Sequence, residues 1–185
     1  MVSNPYNLPP GLPVPEDDGA CRHLDGLSMP AVRLKSSRGR EVDVTVISAA
    51  PMVMFFYPSA TGRPDTPPEW DLIPGARGCT AQACTYRDRY REFGDLGVSV
   101  HGVSAQSPQQ QREFAERMGI PYELLSDSDF ALTNALRLPT FDFQGRRYIK
   151  RLALVVADRR ITKVFYPIFP PDTNADAVLA YFRGK

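Results

Sequence analysis

The chain has 185 residues, a length that suits one domain with a core large enough to fold without disulfides or a structural metal. Its 22 basic and 21 acidic residues nearly cancel, so the charge gives no reason to expect nucleic acid or an anionic membrane as a partner. No apolar run is long enough to span a membrane, and the opening residues "MVSNPYNLPP" do not have the regions of an export signal. We therefore expect a cytoplasmic protein.

The first part of the chain predicts an arm followed by a pair of strands. Residues 1–25 begin with five prolines in the first fifteen positions, which indicates an extended N-terminal arm because proline interrupts helices and strands. The domain itself is predicted to occupy 26–185. At its start, "PAVRLKSS" and "EVDVTVI" alternate apolar and polar residues on either side of "SSRGR", which predicts a hairpin near a sheet edge.

A continuously apolar segment, "PMVMFFYP" at 51–58, predicts a strand buried on both faces of a sheet. The following residues, 59–77, contain four prolines, two glycines and the only tryptophan, Trp70. This composition predicts a long, shaped loop inserted in the domain. Trp70 could cover an adjacent pocket or anchor the loop to the domain, and we favour the anchor.

Helices and strands alternate in the remainder of the chain. The patterns predict helices at 79–94, 108–118, 129–138 and 174–182, strands at 98–105, 122–127, 152–158 and 161–167, and an arginine-rich aromatic connector before the last two strands. Parallel crossovers need a helix, whereas tight turns give antiparallel pairs. The order therefore indicates an α/β protein with a mixed central sheet flanked by helices, compatible with a thioredoxin-like fold that carries extra N-terminal strands.

Two of the three cysteines lie five residues apart in "GCTAQAC" at 78–84. In a reducing compartment such a pair is more often catalytic, redox-sensing or metal-binding than structural. Cys79 falls in the first turn of the predicted helix, where free backbone N–H groups favour a thiolate. Cys84 lies about 9 Å away between Cα atoms in a regular helix, so a disulfide would require the first turns to unwind. Cys84 could equally be a small buried core residue.

These motifs resemble the peroxiredoxins, in particular the bacterioferritin-comigratory or Q type. The resemblance rests on "FFYP" at 55–58, "GCTAQAC" at 78–84 followed by "RD", the opening "GLSMPAVRL", the block at 98–127 and the arginine-bearing "KRLALVVAD" at 150–158. It implies a thiol peroxidase of thioredoxin-like fold that needs no cofactor and no metal.

The resemblance also implies roles for individual residues. Cys79 would attack the peroxide, and Cys84 would resolve the product as an intramolecular disulfide. Pro58, Gly78 and Arg151 match other positions of the family's active site.

The family pattern also has a threonine three residues before the reactive cysteine, where this chain has Ala76. Thr61 is our first candidate for the missing hydroxyl, with Thr66 and Ser59 as alternatives. The alternative is that no hydroxyl fills this role and that the activity is lower or the substrate altered.

The partners implied by the resemblance are a peroxide substrate and thioredoxin or a glutaredoxin-like protein as reductant, with a monomer or weak homodimer as the assembly. One alternative is a peroxide sensor or redox-switched binding protein that uses the same cysteines. Another is a copper metallochaperone, which is disfavoured because neither His23 nor His101 lies in a late loop.

Three further residues receive predictions. His101 is expected to be a core residue, and Arg87 to be partly structural. Cys21 is expected to be a bystander, with resolution of Cys79 as its less favoured role.

Overall fold

The computed structural model describes residue 4, residues 6–61 and residues 67–184. The helices and strands in chain order are β1 (Arg33–Ser36), β2 (Glu41–Asp43), α1 (Val44–Ile47), β3 (Met52–Phe56), α2 (Cys79–Asp88), α3 (Tyr90–Asp95), β4 (Ser99–Ser104), α4 (Pro108–Met118), β5 (Glu123–Ser126), α5 (Ala131–Leu136), β6 (Thr140–Phe143), β7 (Arg146–Ile149), β8 (Leu152–Ala157), β9 (Arg160–Phe165) and α6 (Asn174–Arg183). Short 3-10 turns occupy Arg22–Leu24, Pro68–Leu72 and Pro171–Thr173. None of the helices within the described ranges is long and apolar enough to cross a bilayer.

Seven of the strands form one mixed sheet in the order β2-β1-β5-β4-β3-β8-β9. Strands β3, β4 and β5 are parallel, because helices make the crossovers between them, and the remaining pairs are antiparallel. All five residues of β3 are buried, and the strand lies between β4 and β8. The prediction of a buried strand at 51–58 is therefore confirmed.

The core lies on both faces of this sheet, since successive residues of a strand point to opposite sides. Val53 and Phe55 pack with residues of α2, α4 and α6 on one face. Met54 and Phe56 pack with α5 and the segment around Leu24 on the other. The predicted mixed sheet flanked by helices is confirmed, and Cys79 and Cys84 lie on the face that carries α2.

The predicted second strand is shorter than expected. The chain leaves β2 at Asp43, whose carboxylate accepts a hydrogen bond of 2.9 Å from the backbone N–H of Thr45 and so caps α1. The first residues of the alternating pattern at 41–47 form the strand β2. The remaining residues form one helical turn, because the Asp43 carboxylate caps it. The prediction that the strand continues through 44–47 was therefore wrong.

Two other predictions need correction. The helix expected over 79–94 is interrupted at Arg89, where the backbone leaves helical geometry. The break allows Phe93 of α3 to pack on Tyr86, with the two ring centroids 5.5 Å apart.

The aromatic connector before β8 is a hairpin, β6–β7. Its turn residues Gln144 and Gly145 both have positive φ, as a tight two-residue turn requires.

The described part of the N-terminal arm lies against the domain. The hydroxyl of Tyr6 donates a hydrogen bond to the carboxylate of Asp88, at the end of α2, and the Tyr6 ring packs on the core. Further along, Lys150 Nζ lies 2.9 Å from Asp18 Oδ2. This ion pair and two further hydrogen bonds lower the pKa of Asp18 to about 2.

Candidate active site

Helix α2 begins at Cys79 because Gly78 provides its N-cap. Gly78 has φ 98° and ψ 16°, a left-handed conformation that is unfavourable for residues with a Cβ. A Cβ at this position would also lie 2.3 Å from Cγ of Pro171 and 3.3 Å from Cδ2 of Leu8. Conformation and packing therefore both require glycine here, and Cys79 becomes the first residue of the helix.

The Cys79 thiol is almost enclosed, with 4% of the residue exposed. Its Sγ donates a hydrogen bond of 3.4 Å to the carbonyl oxygen of Ala76 and accepts one of 3.2 Å from Nη2 of Arg151. Cys79 is also the first residue of α2, at the positive end of the helix dipole, and the guanidinium adds a full positive charge. Both features stabilise negative charge at this position.

Strand register explains how Arg151 reaches the thiol. β8 pairs antiparallel with β3, so that Leu152 lies opposite Phe56. The residue before β8 therefore emerges at the same end of the sheet as Pro58, the buried proline that opens the 59–77 loop. The fold thereby brings Arg151 to the loop that leads into Cys79.

Among the described residues, Arg151 donates five hydrogen bonds, and all of them go to neutral acceptors or to sulfur. Besides Cys79, they are the carbonyl oxygens of Gly75, Ala76 and Arg77 at 3.0–3.2 Å and Oε1 of Gln82 at 2.5 Å. Because no carboxylate of the described ranges accepts one of these bonds, none of these partners neutralises the guanidinium beside the sulfur. An oxygen anion that formed beside the sulfur would be stabilised by the same group.

The second cysteine is buried on the inner side of the same helix. Cys84 is fully buried, and its Sγ lies 4.0 Å from Sδ of Met118 in α4. Burial raises the pKa of this thiol. All three cysteines are free thiols in this state, so Cys84 must leave its packing before it can bond to Cys79.

Three residues of the site's surroundings were not identified from sequence. Gln82 and Tyr86 of α2 and Asn174 of α6 are buried, and the two α2 residues donate hydrogen bonds to Oδ1 of Asn174. Gln82 had one available signal, because it is the only large polar side chain between Cys79 and Cys84 and lies one turn after Cys79. Asn174 had no such signal, because the residues around it are those of an ordinary helix start.

The position expected to carry the family's threonine is Ala76, which is fully buried. Among the candidate replacements, Thr61 is exposed, and its carbonyl oxygen accepts a hydrogen bond from Arg117 of α4. Ser59 is half-buried, and Thr66 lies outside the described residues. The source of the hydroxyl stays a prediction.

The loop before Cys79 is held at its second half by Trp70, of which 6% is exposed. The indole ring lies 5.8 Å from the ring of Phe141, 5.3 Å from Phe143 and 4.9 Å from Tyr148, all in the β6–β7 hairpin. The prediction that Trp70 anchors the loop is confirmed. The hairpin leads directly to Arg151, and the loop that carries Trp70 continues to the carbonyl groups at 75–77. Trp70 therefore packs the segment that carries Arg151 against the segment that carries its carbonyl acceptors.

The remaining predicted residues have structural surroundings. Arg87 donates to Asp88 and, at 2.7 Å, to the carbonyl oxygen of Met118, which confirms its structural role. His101 is buried in β4, and burial lowers its pKa to about 4. Cys21 packs on the face of the sheet opposite Cys79. No group of three histidine, cysteine or acidic side chains within the described ranges could hold a metal.

The chain resembles known proteins over most of its length. Residues 24–179 match the redoxin family. The chloroplastic peroxiredoxin Q of Gentiana triflora is 27% identical over 189 residues, spanning 100% of this chain and 78% of that protein. Its counterpart in Populus jackii is 33% identical over 159 residues, spanning 86% and 68%.

Among solved structures, the peroxidoxin BcpB of Mycobacterium tuberculosis superposes with a TM-score of 0.70 and 29% identity, over 86% of this chain and 96% of that one. The match confirms the predicted thioredoxin-like fold. The chain therefore belongs to the redoxin family and, within it, to the peroxiredoxins of the Q or bacterioferritin-comigratory type, enzymes that reduce peroxides with a cysteine thiol.

Proposed function

We propose that the enzyme reduces hydrogen peroxide or organic hydroperoxides at Cys79 and resolves the product with Cys84. The observation that carries the proposal is the 3.2 Å contact between Nη2 of Arg151 and Sγ of Cys79. The contact puts a buried positive charge next to the sulfur nucleophile. The same charge lies beside the position where the leaving oxygen would become negative. Pro58 and Gly78 shape the loop and the helix start around this centre.

In the first step, Sγ of Cys79 attacks one peroxide oxygen. An S–O bond forms, the O–O bond breaks, sulfur loses two electrons and the peroxide gains them. The second oxygen leaves as hydroxide or alkoxide and takes up one proton from solvent, which balances the proton that the Cys79 thiol released on becoming the attacking thiolate. Full ionisation of an ordinary thiol near neutral pH adds only about 30-fold to the rate. The rest must come from donors that stabilise the departing oxygen, and Arg151 and the backbone N–H groups at the start of α2 have this role.

In the second step, the sulfenic acid on Cys79 condenses with the Cys84 thiol. An S–S bond forms, the S–O bond breaks, and the hydroxyl leaves as water with the proton of the thiol. The first turns of α2 must unwind for this to occur, because Cys84 faces the core against Met118. An external dithiol then reduces the disulfide by exchange and becomes oxidised itself.

The partner in that last step would be thioredoxin or a glutaredoxin-like protein. A dithiol pool of this kind is maintained in a reducing compartment, and the three free cysteines suit such a setting. We infer a cytoplasmic enzyme that acts as a monomer or weak homodimer.

The proposal is tested by intact mass after one equivalent of hydrogen peroxide, with remaining thiols alkylated. Wild type should lose two hydrogen atoms and carry one alkyl group, on Cys21. Cys84→Ser should instead gain one oxygen on Cys79, which a 1,3-diketone traps as an adduct. Cys79→Ser should keep both remaining thiols. Three alkylated thiols in the wild type after minutes would refute the peroxidase assignment of this pair.

A peroxide sensor is the second candidate function, and the burial of Cys84 favours it. Disulfide formation must rearrange α2 and the residues packed on it, which would present a new surface to a partner. Fast oxidation by peroxide together with slow turnover by thioredoxin would support this role. Rapid cycling with thioredoxin would support the peroxidase.

A further inference from the structure

A chain of buried polar side chains runs from the C-terminal helix to the reactive thiol. Asn174, of which 2% is exposed, is the first residue of α6. Its Oδ1 accepts hydrogen bonds from the Tyr86 hydroxyl at 2.7 Å and from Nε2 of Gln82 at 3.0 Å. Oε1 of Gln82 accepts from Nη1 of Arg151, and Nη2 of the same guanidinium donates to Cys79.

The donors and acceptors of this chain are compatible with one orientation. A guanidinium only donates, so Gln82 must turn its oxygen toward Arg151 and its NH2 group toward Asn174. Asn174 must then present its oxygen, which also satisfies the hydroxyl of Tyr86. Reversing the Asn174 amide would reverse Gln82 and place an NH2 group against the guanidinium, which buries two opposed donors.

From this arrangement we propose that Asn174, assisted by Tyr86, is a positioning residue for peroxide reduction. It holds the oxygen of Gln82 on Nη1 of Arg151. The guanidinium is planar, so a fixed Nη1 also fixes the direction of Nη2 toward the Cys79 sulfur. The inference deepens the function proposed above and rests on it.

The same hydrogen bonds resist the unwinding that the disulfide requires. Gln82 lies between the two cysteines, and Tyr86 lies two residues beyond Cys84. Both are tied to Asn174, which belongs to a different helix. Asn174 therefore also stabilises the folded form of α2, in which Cys79 reacts with peroxide, over the unwound form in which it bonds to Cys84.

The test compares two reactions of Cys79 in a Cys84→Ser background. Hydrogen peroxide needs Arg151 at the leaving oxygen, whereas a haloacetamide needs only an accessible thiolate. Asn174→Ala should slow the peroxide reaction by about tenfold or more and the haloacetamide reaction by less than about threefold. Asn174→Asp keeps an acceptor for both donors and should recover most of the peroxide rate.

Two further variants keep the outcome interpretable. Tyr86→Phe removes one hydroxyl with little change in shape, and should reproduce the selective loss in part even if Asn174→Ala does not fold. Thr133→Val is the matched control, because it removes a buried hydrogen bond of 2.6 Å, to Asp127, on the opposite face of the sheet. It should leave both reactions of Cys79 unchanged.

With Cys84 present, Asn174→Ala should also form the disulfide several times faster than wild type. Equal slowing of both electrophiles in Asn174→Ala, or a peroxide rate within about twofold of the background protein, would overturn the positioning role. If the protein with Asn174 intact shows no preference for peroxide over haloacetamide, the proposed function fails instead, so the two failures are distinguishable.

Discussion

The guanidinium of Arg151 donates a hydrogen bond of 3.2 Å to the sulfur of Cys79, although 72 positions separate the two residues in the chain. The contact depends on the antiparallel pairing of β8 with β3 and on the carbonyl groups of 75–77 that hold the guanidinium. Arg151 is therefore the residue whose replacement should affect the chemistry most directly after the cysteines.

Replacing Arg151 should slow peroxide reduction while the fold is kept. We expect Arg151→Ala to lower the second-order rate constant by about 10²-fold or more, because the leaving oxygen loses its charged donor. Arg151→Lys keeps the charge but cannot form the planar set of contacts, and should recover only part of the rate. Stopped-flow kinetics measure the rate constants of the two variants, and circular dichroism checks that each is folded. Near wild-type rates for Arg151→Ala would contradict the mechanism.

A side chain at Gly78 should damage both stability and activity. Gly78→Ala combines a left-handed backbone with a Cβ only 2.3 Å from Pro171, so we expect a loss of about 3 kcal/mol in the free energy of unfolding. Gly97→Ala is the matched control, since its φ is +69° but a Cβ there meets nothing within 4 Å. It should cost about 1 kcal/mol and leave peroxide reduction unchanged. Urea unfolding compares the two, and equal losses would exclude the contact with Pro171 as a cause.

The Trp70 anchor should matter for Arg151 as well as for the loop. Trp70→Ala removes a buried ring from the hairpin, and we expect a loss of about 3 kcal/mol in stability and a slower reaction with peroxide, because the carbonyl acceptors at 75–77 shift. Trp70→Phe should retain most of both. Leu72→Ala changes a neighbour that is 74% exposed and should have almost no effect. A Trp70→Ala enzyme with wild-type kinetics would show that the anchor does not support the site.

Removal of the first ten residues should speed disulfide formation. The deletion eliminates the Tyr6 hydrogen bond to Asp88 at one end of α2 and the packing of Leu8 near Gly78 at the other. Both contacts favour the folded helix, so we expect resolution to accelerate several-fold while the reaction of Cys79 with peroxide changes little. Tyr6→Phe tests the hydrogen bond alone. Rapid-quench alkylation follows the disulfide, and an unchanged rate would argue that the arm does not restrain α2.

His101 should make the protein less stable as the pH falls. Burial lowers its folded-state pKa to about 4 from an ordinary value of 6.5, so between these values the unfolded chain binds the proton more readily. The stability from this residue is complete above pH 6.5 and is lost as pH falls toward 4, by about 3 kcal/mol in total. His101→Gln should flatten the pH dependence of urea unfolding in this window. Glu123 and Arg40 lie near His101, but they change protonation outside most of this pH window, because the pKa of Glu123 is lowered and that of Arg40 is raised.

Local patterns carried the sequence predictions that succeeded. The apolar run at 51–58 predicted β3, the proline-led pattern at 108–118 predicted α4, and the pattern that begins at Cys79 predicted the start of α2. These features depend on residues near one another in the chain, whose periodicity and capping are visible directly. Where the local signal was ambiguous, as at 44–47, a single capping carboxylate decided between strand and helix.

The sequence by itself therefore determined the alternation of strands and helices, the position of Cys79 at a helix start, and the helical spacing that keeps Cys79 and Cys84 too far apart for a disulfide unless the helix unwinds. The family resemblance named Arg151 as a site residue, but only the tertiary structure decided which atoms contact the thiol and which groups hold them in place. Arg151 reaches Cys79 through the register of β8 on β3, and Gln82 meets Asn174 across 92 positions. Contacts of this kind depend on how distant segments pack, so the spacing of residues along the chain does not reveal them.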